Sequence, residues 1–139
     1  MAAKDVFHNV VKTALQKDGW VITDDPLTLR VDAFTDLFID LGAQKLLAAE
    51  KEGQKIAVEI KTFLGQSAVT DFHIAMGQFT NYRYALADYE PERVLYLAVP
   101  LNAYNEFFTR PFIQSVIKRG QVSLIVYDVE NEEIVRWQT

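Results

Sequence analysis

The chain has 139 residues, of which half are hydrophobic and 12% are aromatic, and its formal net charge is −5. This length and composition predict one folded domain, residues 1–139, with a sizeable core. Cysteine is absent, which excludes disulfides, thiolate metal sites and cysteine nucleophiles, and the two histidines do not alone make a zinc site of the usual kind. The acidic charge is unfavourable for nucleic-acid binding, because such affinity comes mostly from Lys and Arg. Either a local basic patch overcomes it, or a basic partner supplies the contacts, or nucleic acid is not the substrate.

No targeting or membrane segment stands out in the sequence. The N-terminus lacks the basic segment and apolar stretch of a signal peptide, and no apolar run approaches the roughly 20 residues that span a bilayer. We therefore expect a cytoplasmic protein that does not enter a membrane.

The first third of the chain predicts a helix followed by a strand. Lys4–Lys17 places apolar side chains at helical spacing, and Asp18-Gly19 ends that pattern. A short strand, Trp20–Ile22, follows, and Asp24-Asp25-Pro26 predicts a turn that stops it. Residues 27–39 fit no single pattern.

A β-hairpin is predicted over residues 45–63. The apolar runs Leu46–Ala49 and Lys55–Ile60 flank Lys51-Glu52-Gly53-Gln54, a turn with a glycine. The second arm is apolar until Glu59, which indicates a central strand that is covered on both faces.

The rest of the chain alternates helices and strands. The predicted elements are a helix over Val69–Ala87 capped by Ser67, a strand over Arg93–Val99, a helix over Tyr104–Lys118 that breaks or restarts at Pro111, and paired strands over Val122–Tyr127 and Glu133–Trp137. This order predicts an α/β fold with a mixed central β-sheet flanked by helices.

The chemistry-bearing pattern is Glu59-Ile60-Lys61, at the end of the second hairpin arm. Glu59 and Lys61 are two residues apart on a strand and therefore point to the same face. Asp40 ends another short apolar run, Leu37-Phe38-Ile39. Two carboxylates from neighbouring strands suit one hard divalent cation, and a lysine beside them suits a charged phosphate, so the set predicts a metal-dependent phosphodiesterase.

This pattern and element order resemble the PD-(D/E)xK nuclease superfamily. Its restriction-endonuclease-like core is αβββαβ, which would cover about residues 4–100 and leave residues 101–139 as a C-terminal helix and strands. The resemblance implies Mg²⁺ or Mn²⁺ held by Asp40, Glu59 and the carbonyl of Ile60, with Lys61 positioning water or stabilising the phosphate. Asp40 follows Ile39 and not the usual proline, so Asp36 and Glu50 are alternative acids.

Two further positions are candidates for supporting this site. Gln78-Phe79-Thr80-Asn81-Tyr82 resembles the Gln-x-x-x-Tyr signature of the RecB-like branch, and positions four apart share a helix face. Gln78 and Tyr82 would then hold substrate or the lysine, although an ordinary helix face explains them as well. His8, on the first helix, would orient a metal-bound water; a surface or capping histidine is the alternative.

Four segments spread over the chain resemble the XisH family, the fdxN element excision controlling factors of cyanobacteria. These segments are Asp5–Lys12, Asp18–Pro26, Ile39–Ala43 and Ala57–Phe63. The resemblance implies a role in programmed DNA excision during heterocyst differentiation, beside an XisI-like protein and a separate site-specific recombinase.

Two functions therefore remain open. One is a divalent-metal-dependent endonuclease acting on DNA, for which a homodimer is plausible. The other is a scaffold that keeps the nuclease fold and binds an XisI-like partner or the recombinase; the acidic charge favours this second function.

Overall fold

The structure is a computed structural model, and it describes residues 3–28 and 46–139. The helices are α1 (Ala3–Lys17), α2 (Ala68–Tyr89), α3 (Leu101–Ala103), which continues as a π-helical turn (Tyr104–Phe108), and α4 (Pro111–Arg119). The strands are β1 (Val21–Leu27), β2 (Leu46–Lys51), β3 (Gln54–Ile60), β4 (Arg93–Pro100), β5 (Ser123–Asp128) and β6 (Glu133–Gln138). None of the described helices is both long and apolar enough to cross a membrane.

The six described strands form one mixed sheet in the order β1-β2-β3-β4-β5-β6. The three central strands, β3, β4 and β5, run parallel, and β1–β2, β2–β3 and β5–β6 pair antiparallel. Antiparallel neighbours need only short turns, whereas the parallel connections need helical crossovers, and α2 and α3–α4 supply them. The predicted mixed sheet with flanking helices is confirmed.

Helices cover both faces of the sheet. On one face Val11 and Leu15 of α1 pack with Ile56 and Val58 of β3. On the other face, Ala57 of β3 belongs to the cluster built by α2, the π-helical turn and α4. Because side chains alternate along a strand, Glu59 and Lys61 share the α2 face with Ala57.

The hairpin turn and the caps have the predicted form. Glu52 and Gly53 both have positive φ, 51° and 82°, which is the requirement of a two-residue type I′ turn. Ser67 accepts a hydrogen bond from the Thr70 N–H at 3.2 Å and caps α2. Pro111 begins α4, so the helix restarts there as one of the two predicted alternatives.

One local prediction was wrong. Asp24-Asp25-Pro26 does not end the strand, because β1 continues to Leu27 with two irregularities in its register against β2. β1 lies at the edge of the sheet formed by the described strands, so the missing N–H of Pro26 does not interrupt a ladder on both sides of it.

Candidate functional site

The candidate site lies where the central strand β3 ends. Glu59 is the next-to-last residue of β3 and pairs in register with Leu97 of β4. Lys61 follows the strand, and its backbone N–H still donates to the Ala98 carbonyl at 3.0 Å. This bond extends the strand geometry to Lys61 and keeps its side chain on the face that carries Glu59.

Glu59 is a buried carboxylate with few favourable polar contacts to offset the loss of hydration. Its side chain is 0% exposed, and neither oxygen accepts a hydrogen bond from the described part of the chain. The Lys61 ammonium lies 3.7 Å from Glu59 Oε1, an ion pair that is longer than a hydrogen bond. Burial raises the pKa of Glu59 to about 7, although Lys61 opposes this shift. An unsatisfied buried acid is costly in folding terms, and such groups are enriched at functional sites.

Lys61 is held by a side chain from α2. Its Nζ donates a hydrogen bond to Gln78 Oε1, and the lysine side chain is only 13% exposed. Burial lowers the pKa of Lys61, while the charges of Glu59 and Asp71 oppose that shift. The structure therefore brings Glu59, Lys61 and Gln78 together as a chain of contacts between β3 and α2.

Tyr82 lies one helical turn beyond Gln78 and is 5% exposed. Burial, and then the negative charge of Glu59, raise the pKa of Tyr82 to about 12. Its hydroxyl therefore stays protonated near neutral pH, within electrostatic range of the buried carboxylate.

Asp40 and the alternative acid Asp36 lie outside the described residues.

Glu50, the other alternative acid, is at the wrong end of the hairpin. It pairs with Lys55, four residues from Glu59 along β3. At a strand rise of about 3.3 Å per residue the separation is roughly 13 Å, too far for both carboxylates to hold one cation.

His8 is engaged elsewhere. One of its ring nitrogens, Nε2, lies 2.7 Å from Asp25 Oδ1, and Lys12 donates to Asp25 Oδ2 at 3.0 Å. These contacts link α1 to the edge strand β1, and α1 packs on the sheet face opposite to Glu59. Lys12 and His8 lower the pKa of Asp25 against the effect of burial. The structure does not bring His8 to the Glu59–Lys61 pair.

Within the part of the chain that the structure describes, the two buried Glu59 oxygens have no hydrogen-bond donor, and unpartnered carboxylate oxygens are suitable ligands for a hard divalent cation. The described residues contain no group of three His, Asp or Glu side chains that could hold a metal ion, so further ligands would come from Asp40, the Ile60 carbonyl and water. The Ile60 side chain packs on the α1 face of the sheet.

Three contributors to the site were not predicted from the sequence. The Tyr127 hydroxyl donates a hydrogen bond to the Lys61 carbonyl at 2.9 Å. The two residues are 66 positions apart in the sequence, so no local pattern predicts this contact. Asp71 accepts from the Gly65 N–H at 3.1 Å and acts on Lys61 through its charge. Phe63 has a positive φ of 54°, which is unusual for a bulky residue and gives no sequence signal.

Comparisons with known proteins agree with this fold. A crystal structure of an fdxN element excision controlling factor protein from Anabaena variabilis is 57% identical, with a TM-score of 0.86 over 97% of this chain and 99% of that one. A crystal structure of an XisH family protein from Nostoc punctiforme PCC 73102 is 54% identical, with a TM-score of 0.87 over 97% of this chain and 100% of that one. A comparison with curated proteins gives no match.

The family model described as "XisH protein" matches residues 1–135. It therefore includes the hairpin, the Glu59–Lys61 pair and the helix that supplies Gln78. The chain belongs to the XisH family, that of the fdxN element excision controlling factors.

Proposed function

We propose that this protein acts in site-specific DNA excision and that its sheet carries a restriction-endonuclease-like phosphodiesterase site. The buried Glu59 carboxylate beside the Lys61 ammonium, at 3.7 Å, carries this proposal. Among the described elements, the order α1-β1-β2-β3-α2-β4 is the one expected of an αβββαβ nuclease core, and this order supports the proposal. The name of the Anabaena variabilis relative supports the role in excision.

Glu59, Asp40 and the Ile60 carbonyl would hold the Mg²⁺ or Mn²⁺. When bound, the ion supplies Lewis-acid chemistry, activating water and neutralising phosphate charge. Glu59 must be ionised for this role, and its pKa of about 7 means that it holds a proton much of the time until a cation binds.

Lys61 provides the positive charge that faces the phosphate. The Gln78 Oε1 accepts a hydrogen bond from the Lys61 ammonium and so fixes the direction of Nζ. A pre-oriented cation in a site sheltered from water stabilises developing negative charge better than a mobile one. Tyr82, with its hydroxyl kept protonated, would act as a hydrogen-bond donor toward substrate.

The test is cleavage of single-stranded, duplex and branched DNA with Mg²⁺ or Mn²⁺, with and without an XisI-like partner. We expect Glu59→Gln and Lys61→Met each to lower the rate by about 100-fold or more. Lys55→Met is the matched control, because Lys55 lies on the same strand in an exposed pair with Glu92 at 3.8 Å. Equal cutting by all three variants and the wild type would assign the activity to another site or a contaminant.

A second function, a scaffold without catalysis, is favoured by the charge and the surface. The net charge of −5 opposes binding to phosphates. Ile74 and Tyr84 of α2 are 51% and 63% exposed, and exposed apolar and aromatic side chains often anchor protein interfaces. No cutting in any arm, together with a stable complex with an XisI-like protein or the recombinase, would establish this function in place of the nuclease.

A further inference from the structure

The backbone adopts an unusual conformation just after Lys61. Phe63, two residues on, has a φ of 54°, in the left-handed region that bulky side chains rarely adopt. Such a conformation persists only where the surrounding structure holds it. The contacts of Phe63 therefore identify what fixes the backbone of the residues that follow β3.

An aromatic cluster holds the Phe63 ring. Its centroid lies 5.1 Å from that of Phe108, edge to face, and 6.5 Å from that of Phe107. Phe72 of α2 closes the cluster, 5.5 Å from Phe107 and 5.8 Å from Phe108. Phe63 thus ties the loop after β3 to the π-helical turn and, through Phe107 and Phe108, to α2.

The π-helical turn presents two of these rings. Phe107 and Phe108 are consecutive, and both are buried, 3% and 0% exposed. The Thr109 N–H donates a hydrogen bond to the Tyr104 carbonyl, five residues earlier, at 3.2 Å, and this spacing defines a π-helical turn. Single π-helical turns occur frequently at functional sites, and here the turn builds the pocket that receives Phe63.

The backbone of Lys61 is fixed independently from β4 and β5. Its N–H donates to Ala98, and its carbonyl accepts from the Tyr127 hydroxyl at 2.9 Å. Tyr127 is 0% exposed, and its ring packs edge-on against Phe7 of α1, with the centroids 6.2 Å apart. A buried, packed tyrosine has little freedom, so its hydroxyl is a rigid donor.

We propose that Phe63 and Tyr127 are positioning residues that hold Lys61 beside Glu59. The Phe63 ring anchors the left-handed backbone conformation of that residue, and the Tyr127 hydroxyl fixes the Lys61 carbonyl, so that the lysine side chain leaves the strand toward Gln78 and Glu59. The effect on catalysis rests on the proposed function, whereas the effect on the order of Lys61 does not.

The first test separates the ring of Phe63 from its backbone. Phe63→Gly suits the positive φ but removes the ring, and Phe63→Tyr keeps the ring. We expect the amide hydrogen of Lys61, followed by NMR without metal or DNA, to exchange about tenfold faster in Phe63→Gly. Exchange at Ala57 in the same strand should stay unchanged, and Phe63→Tyr should restore the wild-type rate at Lys61.

The second variant, Tyr127→Phe, removes one hydroxyl and preserves the packing. We expect faster exchange at Lys61 and a kcat for DNA cleavage that is lower by about tenfold or more at unchanged KM, because small displacements of a reacting group are costly. Phe112→Leu, an exposed phenylalanine on α4 outside the cluster, should match the wild type in both measurements.

The outcomes distinguish the two proposals. If amide exchange is faster only at Lys61 and the protein cuts no DNA, the positioning of Lys61 is supported and the proposed nuclease function is ruled out. Wild-type exchange at Lys61 in both Phe63→Gly and Tyr127→Phe overturns the positioning proposal, whatever the wild type cleaves. Faster exchange throughout the sheet would also overturn it, because that result means a general loss of stability.

Discussion

The most informative single residue is Glu59, because its placement is unfavourable for stability. Glu59 is fully buried and accepts no hydrogen bond from the described residues; such a carboxylate prefers its protonated form, and burial raises the pKa of Glu59 to about 7. A stabilising role alone does not explain why an acid stands here in place of an apolar side chain. This unfavourable burial is expected of a carboxylate whose role is to bind a cation, as proposed for Glu59.

This cost predicts how stability depends on pH. Between about pH 4.5 and 7 folded Glu59 keeps a proton that the unfolded chain loses, so the free energy of unfolding falls as pH rises through this window. The full effect is about 3 kcal/mol, at 1.36 kcal/mol per pH unit. Glu59→Gln should remove this part of the dependence and be more stable than the wild type at pH 8, measured by urea unfolding across pH.

Glu92→Gln is the control for this prediction, because the Glu92 side chain is 52% exposed and should leave the pH dependence unchanged. Saturating Mg²⁺ or Mn²⁺ should raise wild-type stability above pH 7, where ionised Glu59 is available, but not that of Glu59→Gln. Parallel pH curves for the wild type and Glu59→Gln would show that Glu59 titrates normally.

At the scale of elements, the helix ends and the turn between β2 and β3 were predicted well because their signals are local. Ser67 caps α2 through a hydrogen bond to Thr70 N–H, three residues away, and Pro111 starts α4. The strand β1 was predicted poorly, because Asp24-Asp25-Pro26 signals a turn in isolation. Pairing with β2 outweighs that signal at a sheet edge.

The cap of α2 gives a prediction at this scale. Ser67→Ala should lower the free energy of unfolding by about 1 kcal/mol, because the Thr70 N–H loses its acceptor. Ser67→Asp should keep the wild-type stability, since aspartate caps equally well. Ser115→Ala, inside α4, is the matched control and should change stability little. Thermal and urea unfolding measure all three, and equal losses for Ser67→Ala and Ser67→Asp would contradict the capping role.

At the scale of the whole molecule, the C-terminal segment, residues 101–139, packs into the same sheet and core as the preceding part of the chain. Phe107 and Phe108 belong to the same buried cluster as Phe72 of α2, and β5 pairs with β4. Tyr127 of β5 reaches the Lys61 carbonyl. The division into a core over residues 4–100 and an addition over residues 101–139 comes only from the resemblance to the nuclease superfamily. In the structure both parts contribute side chains to the same buried cluster and strands to the same sheet.

Shared packing predicts one cooperative unit. Unfolding of the full chain should give coincident transitions by far-UV circular dichroism and by tryptophan fluorescence, since Trp137 of β6 packs on Trp20 at 5.7 Å. A fragment of residues 1–100 should lack a cooperative transition, because β4 becomes an unpaired edge and the α2 cluster loses its partners. Cooperative unfolding of that fragment would show instead that the first 100 residues fold alone.

The sequence by itself determined the order of the elements, the central buried strand and the pair Glu59–Lys61 on one face. These follow from periodicities of two and 3.6 residues and from turn and cap residues, all of which act over a few positions. The spacing of four also suggested that Gln78 and Tyr82 face the site together, and Gln78 does contact Lys61.

Only the tertiary structure decided which distant groups meet. It places Tyr127 on the Lys61 carbonyl, engages His8 with Asp25, and separates Glu50 from Glu59 by the register of one hairpin. It also reveals the degree of burial that raises the pKa of Glu59. Long-range pairing and desolvation depend on how the whole chain packs, and no short stretch of sequence encodes them.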